Sequence, residues 1–512
     1  MKTRQIKFRL WQGNKRSAPD TGTSAKVGRD DTHAQESKGG DIRRSRSGCA
    51  ECKRRRVKCD ETFPVCTRCQ KRGSICQSAP RLTKWQQEAP WIKLCGTDPS
   101  SSIALYQQPQ QLSAEGDDQK LLRYWLERAS QIMVIDPDEN PLSFPILEYV
   151  QQSPSLKHAL QSVGAGHLNY FAPEKLARCL EERSTALRLI MNDLSCPGEN
   201  LLPLFLSIFL VGLSTAWTNG PEFDFGQQHL QGARALVDMV LDQSTEDGSR
   251  PLYTNLIIGS YLYWDMAIAF LVPLDQQKPL NTSDIYSTVL GMGNEYHPIG
   301  GYTNGIFYLI GNVGRYCRSV VETGIRDELM ESALGDEMMQ WEPNCEKHEL
   351  SLMCDAFRSH GLISLAAICY RRRNSETAQH AILCDILNTT AEEDVAWWQS
   401  IEGSFLDQDL ETSIRNRALD VVHDLLSIPS SHPCTNLQAI PLFTAASELT
   451  SMDKKERSKV EQRFKELYSR NHIPANLAAL RILPEIWERR DAGDAVNWLE
   501  VMIEKGWNLM LG

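Results

Sequence analysis

Six cysteines lie between residues 49 and 76: Cys49, Cys52, Cys59, Cys66, Cys69 and Cys76. Their spacing is C-x2-C-x6-C-x6-C-x2-C-x6-C, and the last three repeat the first three with each position advanced by 17. Thiolate sulfur ligates zinc, and a structural zinc takes four ligands in a tetrahedron. Two zincs need eight ligand positions, which six cysteines fill if two thiolates bridge both metals. The repeat makes Cys49 and Cys66, the first member of each half, the natural bridges. One ion would take Cys49, Cys52, Cys59 and Cys66, and the other Cys66, Cys69, Cys76 and Cys49. Two alternatives use the same residues: a disulfide cluster, or one four-cysteine site with two spare thiols. A module this small has little apolar core, so metal binding would supply most of its folding free energy.

The residues between the cysteines name a second chemistry. The first long interval holds Lys53, Arg54, Arg55, Arg56 and Lys58, and the second holds Lys71 and Arg72. Arg46 and Arg68 add to the charge. Six thiolates and two divalent ions leave a cluster of net −2, which would repel nucleic acid without these cations. Arginine can donate two hydrogen bonds to O6 and N7 of guanine, whereas lysine and arginine on phosphates hold without reading. The asymmetry assigns base reading to the first half, with Arg55 and Arg56 foremost, and phosphate contacts to both halves. The expected DNA-contacting set is Arg46, Lys53, Arg54, Arg55, Arg56, Lys58, Arg68, Lys71 and Arg72.

The chain as a whole is acidic, with a net charge of −10 over 512 residues. Residues 1–80 carry 20 Lys and Arg against 8 Asp and Glu; the other 432 carry 35 against 57. A basic head on an acidic body confines polyanion binding to the head. The nine remaining cysteines have no ligand spacing, and Met1–Asn14 holds no apolar signal core, so free thiols in a reducing compartment are expected.

The elements that must carry the head divide as follows. Residues 1–41 read as a disordered basic arm, 42–80 as the cysteine module, and 81–117 as a proline- and glutamine-bearing linker. From 118 to 512 apolar residues recur at helical spacing, and strand-like alternation is rare. Leu122, Trp125, Leu126, Ala129, Ile132 and Met133 trace one stripe that Asp136-Pro137 should stop. Breaks are expected at 242–251, 276–301 and 429–433. The fold class is all-α: a small binuclear zinc module followed by a large multi-helical domain. Two apolar stretches, 201–217 and 252–274, read as core helices and not membrane spans, because the first is short and the second carries Asp265. Residues 77–117 show no heptad run, so no coiled coil is visible and a homodimer would need another surface.

Gly48-Cys49-Ala50-Glu51-Cys52-Lys53-Arg54-Arg55-Arg56-Val57-Lys58-Cys59-Asp60, followed by Phe63-Pro64-Val65-Cys66, resembles the fungal Zn2Cys6 binuclear-cluster transcription factors. The resemblance implies two zinc ions, Cys49 and Cys66 as bridges, and a short helix whose C-terminal end enters the major groove at CGG-like triplets. His229-Leu230-Gln231-Gly232-Ala233, the stretch from Asn140-Pro141 to Leu156, and the ending from Trp487 to Trp507 resemble the helical fungal-specific regulatory domain. That resemblance covers residues 118–512.

These readings converge on a nuclear, sequence-specific regulator of RNA polymerase II transcription. Its expected partners are double-stranded DNA at GC-rich triplet sites and the transcription machinery. A biosynthetic gene cluster, drug response or development would each fit as its target. The alternative is a zinc-stabilised RNA-binding or protein-docking module, disfavoured because Phe63 is the sole aromatic among the cysteines and offers no stacking platform. An enzyme is not expected: there is no nucleophile elbow or phosphate loop, Gly291-Met292-Gly293 lacks a preceding strand, and His348-Glu349 lacks a second histidine. Arg43-Arg44-Ser45-Arg46 with Lys53–Arg56 could serve nuclear import. Arg371-Arg372-Arg373 reads as a solvated helix end, and Asp265 as a core aspartate with a partner.

Overall fold

A computed structural model describes residues 48–62, 65–77, 117–198, 201–215, 226–243, 253–293, 295–343, 345–371 and 407–511. The chain divides into two units, Met1–Arg46 and Ser47–Gly512, and every described residue belongs to the second. Two short helices, α1 (Ala50–Arg54) and α2 (Thr67–Gln70), form the cysteine module. The body then runs through α3 (Asp117–Glu127), α4 (Leu147–Val150), α5 (Pro154–Asn169), α6 (Leu176–Ser195), α7 (Leu202–Leu213) and α8 (Gln227–Asp242). It continues with α9 (Thr254–Ile268), α10 (Ser283–Met292), α11 (Asn304–Thr323), α12 (Glu328–Gln340) and α13 (His348–Leu365). It closes with α14 (Asp407–Ser427), α15 (Ala439–Ser447), α16 (Lys454–Asn471), α17 (Pro474–Asp491) and α18 (Trp498–Lys505). No strand occurs among the described residues; one isolated bridge joins His297 and Gly301.

The chemistry that starts and stops these helices is local. Ser153 caps α5 by accepting the Leu156 amide, and Pro154 sits where its missing N–H costs nothing. Asn497 and Glu500 form a reciprocal capping box on α18, which Gly506 ends in the left-handed region. Neighbours in sequence then pack as neighbours in space. α5 lies on α3, α6 and α7; α7 on α8; α8 on α9; and α9 on α11. Beyond these, α11 lies on α13, α13 on α14 and α15, and α15 on α17. Trp264 of α9 reaches the α7 backbone at Gly212, where an added Cβ would lie 2.2 Å from its ring. Only glycine admits that approach.

The two apolar stretches become α7 and α9, and both are buried nearly all round. Asp265 is 1% exposed and takes two hydrogen bonds from Arg315, at 2.7 and 2.6 Å, with a third from the Tyr261 hydroxyl. The partnered core reading of Asp265 is therefore the one the structure shows. One helical stretch, His348–Tyr370, is long and apolar enough to cross a membrane, and 83% of its apolar window is buried inside the protein. Trp487, Trp498 and Trp507 pack the C-terminal helices; the Trp487 indole N–H donates to Ala446 O at 2.7 Å.

Three expectations are corrected. The first stripe does not run on to Asp136: α3 ends at Glu127 and a 3-10 turn covers Ala129–Ile132. There Leu126 O accepts from the Ser130 and Ser143 hydroxyls, side-chain bonds that compete with continued helix. The break expected over 276–301 contains α10, which Thr282 caps through the Ile285 amide. Gly291-Met292-Gly293 is simply its C-terminal end. Arg371 is not solvated but 7% exposed, paired with Glu411 and, at 2.7 Å, with Glu448. Arg372 and Arg373 lie outside the described residues.

Glu448 sits fully buried between Arg371 and Arg490, and both arginines also hold Glu411. Burial alone would raise its carboxyl, but the two facing guanidiniums win and hold it at about 2. Removing its charge leaves two buried cations sharing one half-exposed carboxylate. Glu448→Gln should cost about 3 kcal/mol of stability at pH 7, measured by urea unfolding. A carboxyl depressed in the folded state stabilises above its ordinary value and ceases to as it protonates. The stability gap between wild type and variant should therefore close as pH falls from 4.5 to about 2.

Candidate zinc cluster and nucleic-acid interface

The cysteine module is built on a local repeat. Cys49 caps α1 and its sulfur accepts the Cys52 amide at 3.3 Å; Cys66 caps α2 and accepts the Cys69 amide at 3.4 Å. Each helix therefore presents its first two cysteines to the same centre. Cys59 and Cys76 arrive from the extended segments that follow, and their sulfurs accept the Glu61 and Cys66 amides, both at 3.4 Å. Asp60 joins the halves: one carboxylate oxygen accepts from the Thr67 amide at 3.0 Å and from the Thr62 and Thr67 hydroxyls. Those bonds hold its carboxyl well below the ordinary carboxylate range.

All six sulfurs converge. Cys49–Cys66 is 3.9 Å, Cys49–Cys69 is 3.7 Å and Cys52–Cys66 is 3.7 Å, all far longer than a disulfide bond. The ligand atoms of Cys49, Cys52, Cys59 and Cys66 lie within 4.8 Å of one another, and so do those of Cys49, Cys66, Cys69 and Cys76. Two sets of four therefore share Cys49 and Cys66. All six residues are buried, and burial pushes the thiols of Cys52, Cys69 and Cys76 up, that of Cys69 to about 12. A cation in their midst would favour the thiolate form of these three at neutral pH.

The surface of the module is cationic. Lys53, Arg54, Arg55, Arg56 and Lys58 are exposed in the first half, and Arg68, Lys71 and Arg72 in the second. Arg46 lies outside the described residues. Glu51 pairs with both Arg54 and Arg55 at 2.9 Å, ordering two arginines side by side at the surface. The module rests on the body through its second half. The Cys76 amide donates to the Ser469 hydroxyl on α16 at 2.9 Å, and Gln70 reaches Ser430 at 3.5 Å.

Arg56 holds a feature that residue-type reasoning missed. Its φ is +58°, the left-handed region that favours glycine, and the Val57 amide closes back onto Cys52 O at 3.1 Å to end α1. Seventeen residues on, Gly73 does the same at φ +62°, with Ser74 closing onto Cys69 O at 3.1 Å. The repeat itself carried the signal: a glycine in one half stands where the other half has arginine. A non-glycine residue in this region costs of order 1 kcal/mol, and such outliers concentrate at functional sites.

Comparison with known families agrees with this geometry. The fungal Zn(2)-Cys(6) binuclear cluster domain matches residues 47–86, and the fungal specific transcription factor domain matches residues 120–512. The chain belongs to the fungal Zn2Cys6 transcription factors. Such factors regulate transcription by binding DNA and are not enzymes; their cluster domain takes two zinc ions, which the two four-sulfur sets of this chain fit. The Schizosaccharomyces pombe transcriptional regulatory protein moc3 is 37% identical over 67 residues, 13% of this chain and 12% of that protein. The Emericella nidulans aspercryptin biosynthesis cluster-specific transcription regulator atnN is 39% identical over 70 residues, 14% of this chain and 12% of that protein. The Saccharomyces cerevisiae lysine biosynthesis regulatory protein LYS14 is 54% identical over 41 residues, 8% of this chain and 5% of that protein. The chain thus spans about a tenth or less of the length of these relatives. No solved structure matches it.

The backbone at Arg56 separates folding from binding. Arg56→Gly removes the strain and the charge together. The full-length variant should keep its zinc against a competing chelator at least as well as wild type, yet bind duplex DNA more weakly. Faster zinc loss in the variant would show that the arginine side chain supports the cluster.

Proposed function

We propose that this protein is a nuclear, sequence-specific regulator of RNA polymerase II transcription whose residues 42–80 read a CGG-like triplet. Cys49, Cys52, Cys59, Cys66, Cys69 and Cys76 hold two zinc ions, with Cys49 and Cys66 bridging. Residues 118–512 form the regulatory body that meets the transcription machinery. The observation that carries the reading is the pair of four-sulfur sets with shared members, flanked by an exposed basic run at the end of α1.

The division of labour follows from charge and backbone. Arg55 and Arg56 lie where α1 ends, and Arg56 has a left-handed backbone at that turn. A bidentate arginine on guanine discriminates by about 1–3 kcal/mol per pair, so one or two suffice for a triplet. Lys71 and Arg72 on the second half, with Lys53, Arg54, Lys58, Arg68 and Arg46, hold phosphates. The target genes are proposed to be biosynthetic. The support is limited to the names of two relatives, one specific to an aspercryptin biosynthesis cluster and one regulating lysine biosynthesis.

Selection of random duplex DNA by the full-length protein, with and without chelator, tests the reading. A GC-rich triplet should be enriched and should vanish on zinc removal; equal affinity for all sequences, or for RNA, would contradict it. Arg56→Ala should flatten base preference. Lys71→Ala should weaken all sequences alike and lower the slope of log K against log salt by about one unit. A uniform loss in both variants would contradict the assigned roles.

A further inference from the structure

A pocket opens inside the helical body where its early and late helices meet. It encloses about 530 Å³, part of it open to solvent. Ile132 and Met133 after α3, Phe209 and Leu213 of α7, and Tyr263 of α9 form one side. Asn436 and Leu437, from the turn before α15, and Asn471 and Ile473, between α16 and α17, form the other. Among the described residues, no charged side chain lines it. An ionised guest would lose its hydration and gain no counter-charge here, so the occupant must be uncharged.

One carboxamide in this wall has no protein partner. Asn436 is 7% exposed, and neither its amide oxygen nor its amide nitrogen is hydrogen-bonded. Gln161 and Asn476 are buried carboxamides that leave the oxygen unpaired while the nitrogen donates to Asp118 O and to Asn471. Among the described residues, Asn436 is the one whose carboxamide oxygen and nitrogen are both fully buried and without a partner. Asn471, in the same wall, is already used: its oxygen accepts from the Ile473 amide and from Asn476, both at 3.1 Å. A buried amide with unmet donors and acceptor is costly, and native proteins keep one where something outside the fold satisfies it.

We propose that this pocket binds a small, uncharged, largely apolar molecule carrying a cis amide, such as a lactam, through Asn436. A lactam places its N–H and C=O on one edge. The Asn436 oxygen accepts the ligand N–H while its nitrogen donates to the ligand carbonyl, and the apolar ring lies against Phe209, Leu213 and Ile299. A primary amide can make the same pair. An ester, ketone or tertiary amide supplies only half of it and leaves the Asn436 oxygen unpaired.

The probe is 2-pyrrolidone, with N-methyl-2-pyrrolidone as the control that lacks the donor. Both are titrated by ligand-observed NMR onto the full-length, zinc-loaded protein. The lactam should bind at least tenfold more tightly than its N-methyl analogue, since unpaired buried groups discriminate strongly. Asn436→Leu and Asn436→Ala should each erase that preference, the first at similar side-chain volume and the second with added space. The variants' thermal unfolding without ligand should stay at or above that of wild type, because each removes an unsatisfied amide. Equal binding of the two probes, no binding of either, or a preference that survives both substitutions would overturn the proposal. Absence of binding would mean that Asn436 is satisfied by water alone.

Discussion

Six buried thiols held within van der Waals reach of one another are an unstable arrangement until cations join them. Burial resists ionisation of Cys52, Cys69 and Cys76, and thiolates without metal would set like charges 3.7–3.9 Å apart at the closest pairs. Two divalent ions reverse the balance, because each thiolate then faces a cation instead of a neighbour. The rest of the head depends on this exchange. Its two helices have five and four residues, too short to stand alone, and among the described residues only Val65 joins the cysteines in its small core. Without metal the segment that carries Arg55 and Arg56, the proposed readers, has no fixed direction.

The same constraint explains the charge pattern. A cluster of net −2 needs cations around it before it can approach DNA, and the exposed basic run supplies an excess of them. Glu51 carries the opposite charge but pairs with Arg54 and Arg55, aligning two donors. The acidic body follows its own electrostatic logic. Its buried charges are matched internally: Glu448 with Arg371 and Arg490, and Asp265 with Arg315. These pairs lock helices distant in sequence, α9 to α11 and the end of α13 to α15 and α17.

The head was legible in the sequence because its chemistry is written in spacing. Thiol positions, repeat and basic interval translate directly into ligand sets and charged surface. The helical character of the body was also legible, because apolar periodicity is local. What escaped was decided by side chains that meet only after folding. The stop of α3 at Glu127 depends on Ser143, sixteen residues later, bonding to Leu126 O. The burial of Arg371 depends on Glu411 and Glu448, and no run of three arginines announces such partners. α10 was missed although its cap, Thr282, stands three residues before Ile285. The proline, glycine and asparagine around it outweighed a short apolar stripe. The left-handed turn at Arg56 was written in the repeat as Gly73, yet is visible only when the two halves are aligned.

The central claim is that six thiols hold two metals by sharing two of their number. Native mass spectrometry of the full-length protein, combined with thiol alkylation and peptide mapping, measures this most directly. The account predicts two zinc ions per chain, with Cys49, Cys52, Cys59, Cys66, Cys69 and Cys76 all protected until a chelator is added. One zinc per chain with two of the six cysteines alkylated, or disulfide-linked peptides spanning residues 49–76, would contradict it.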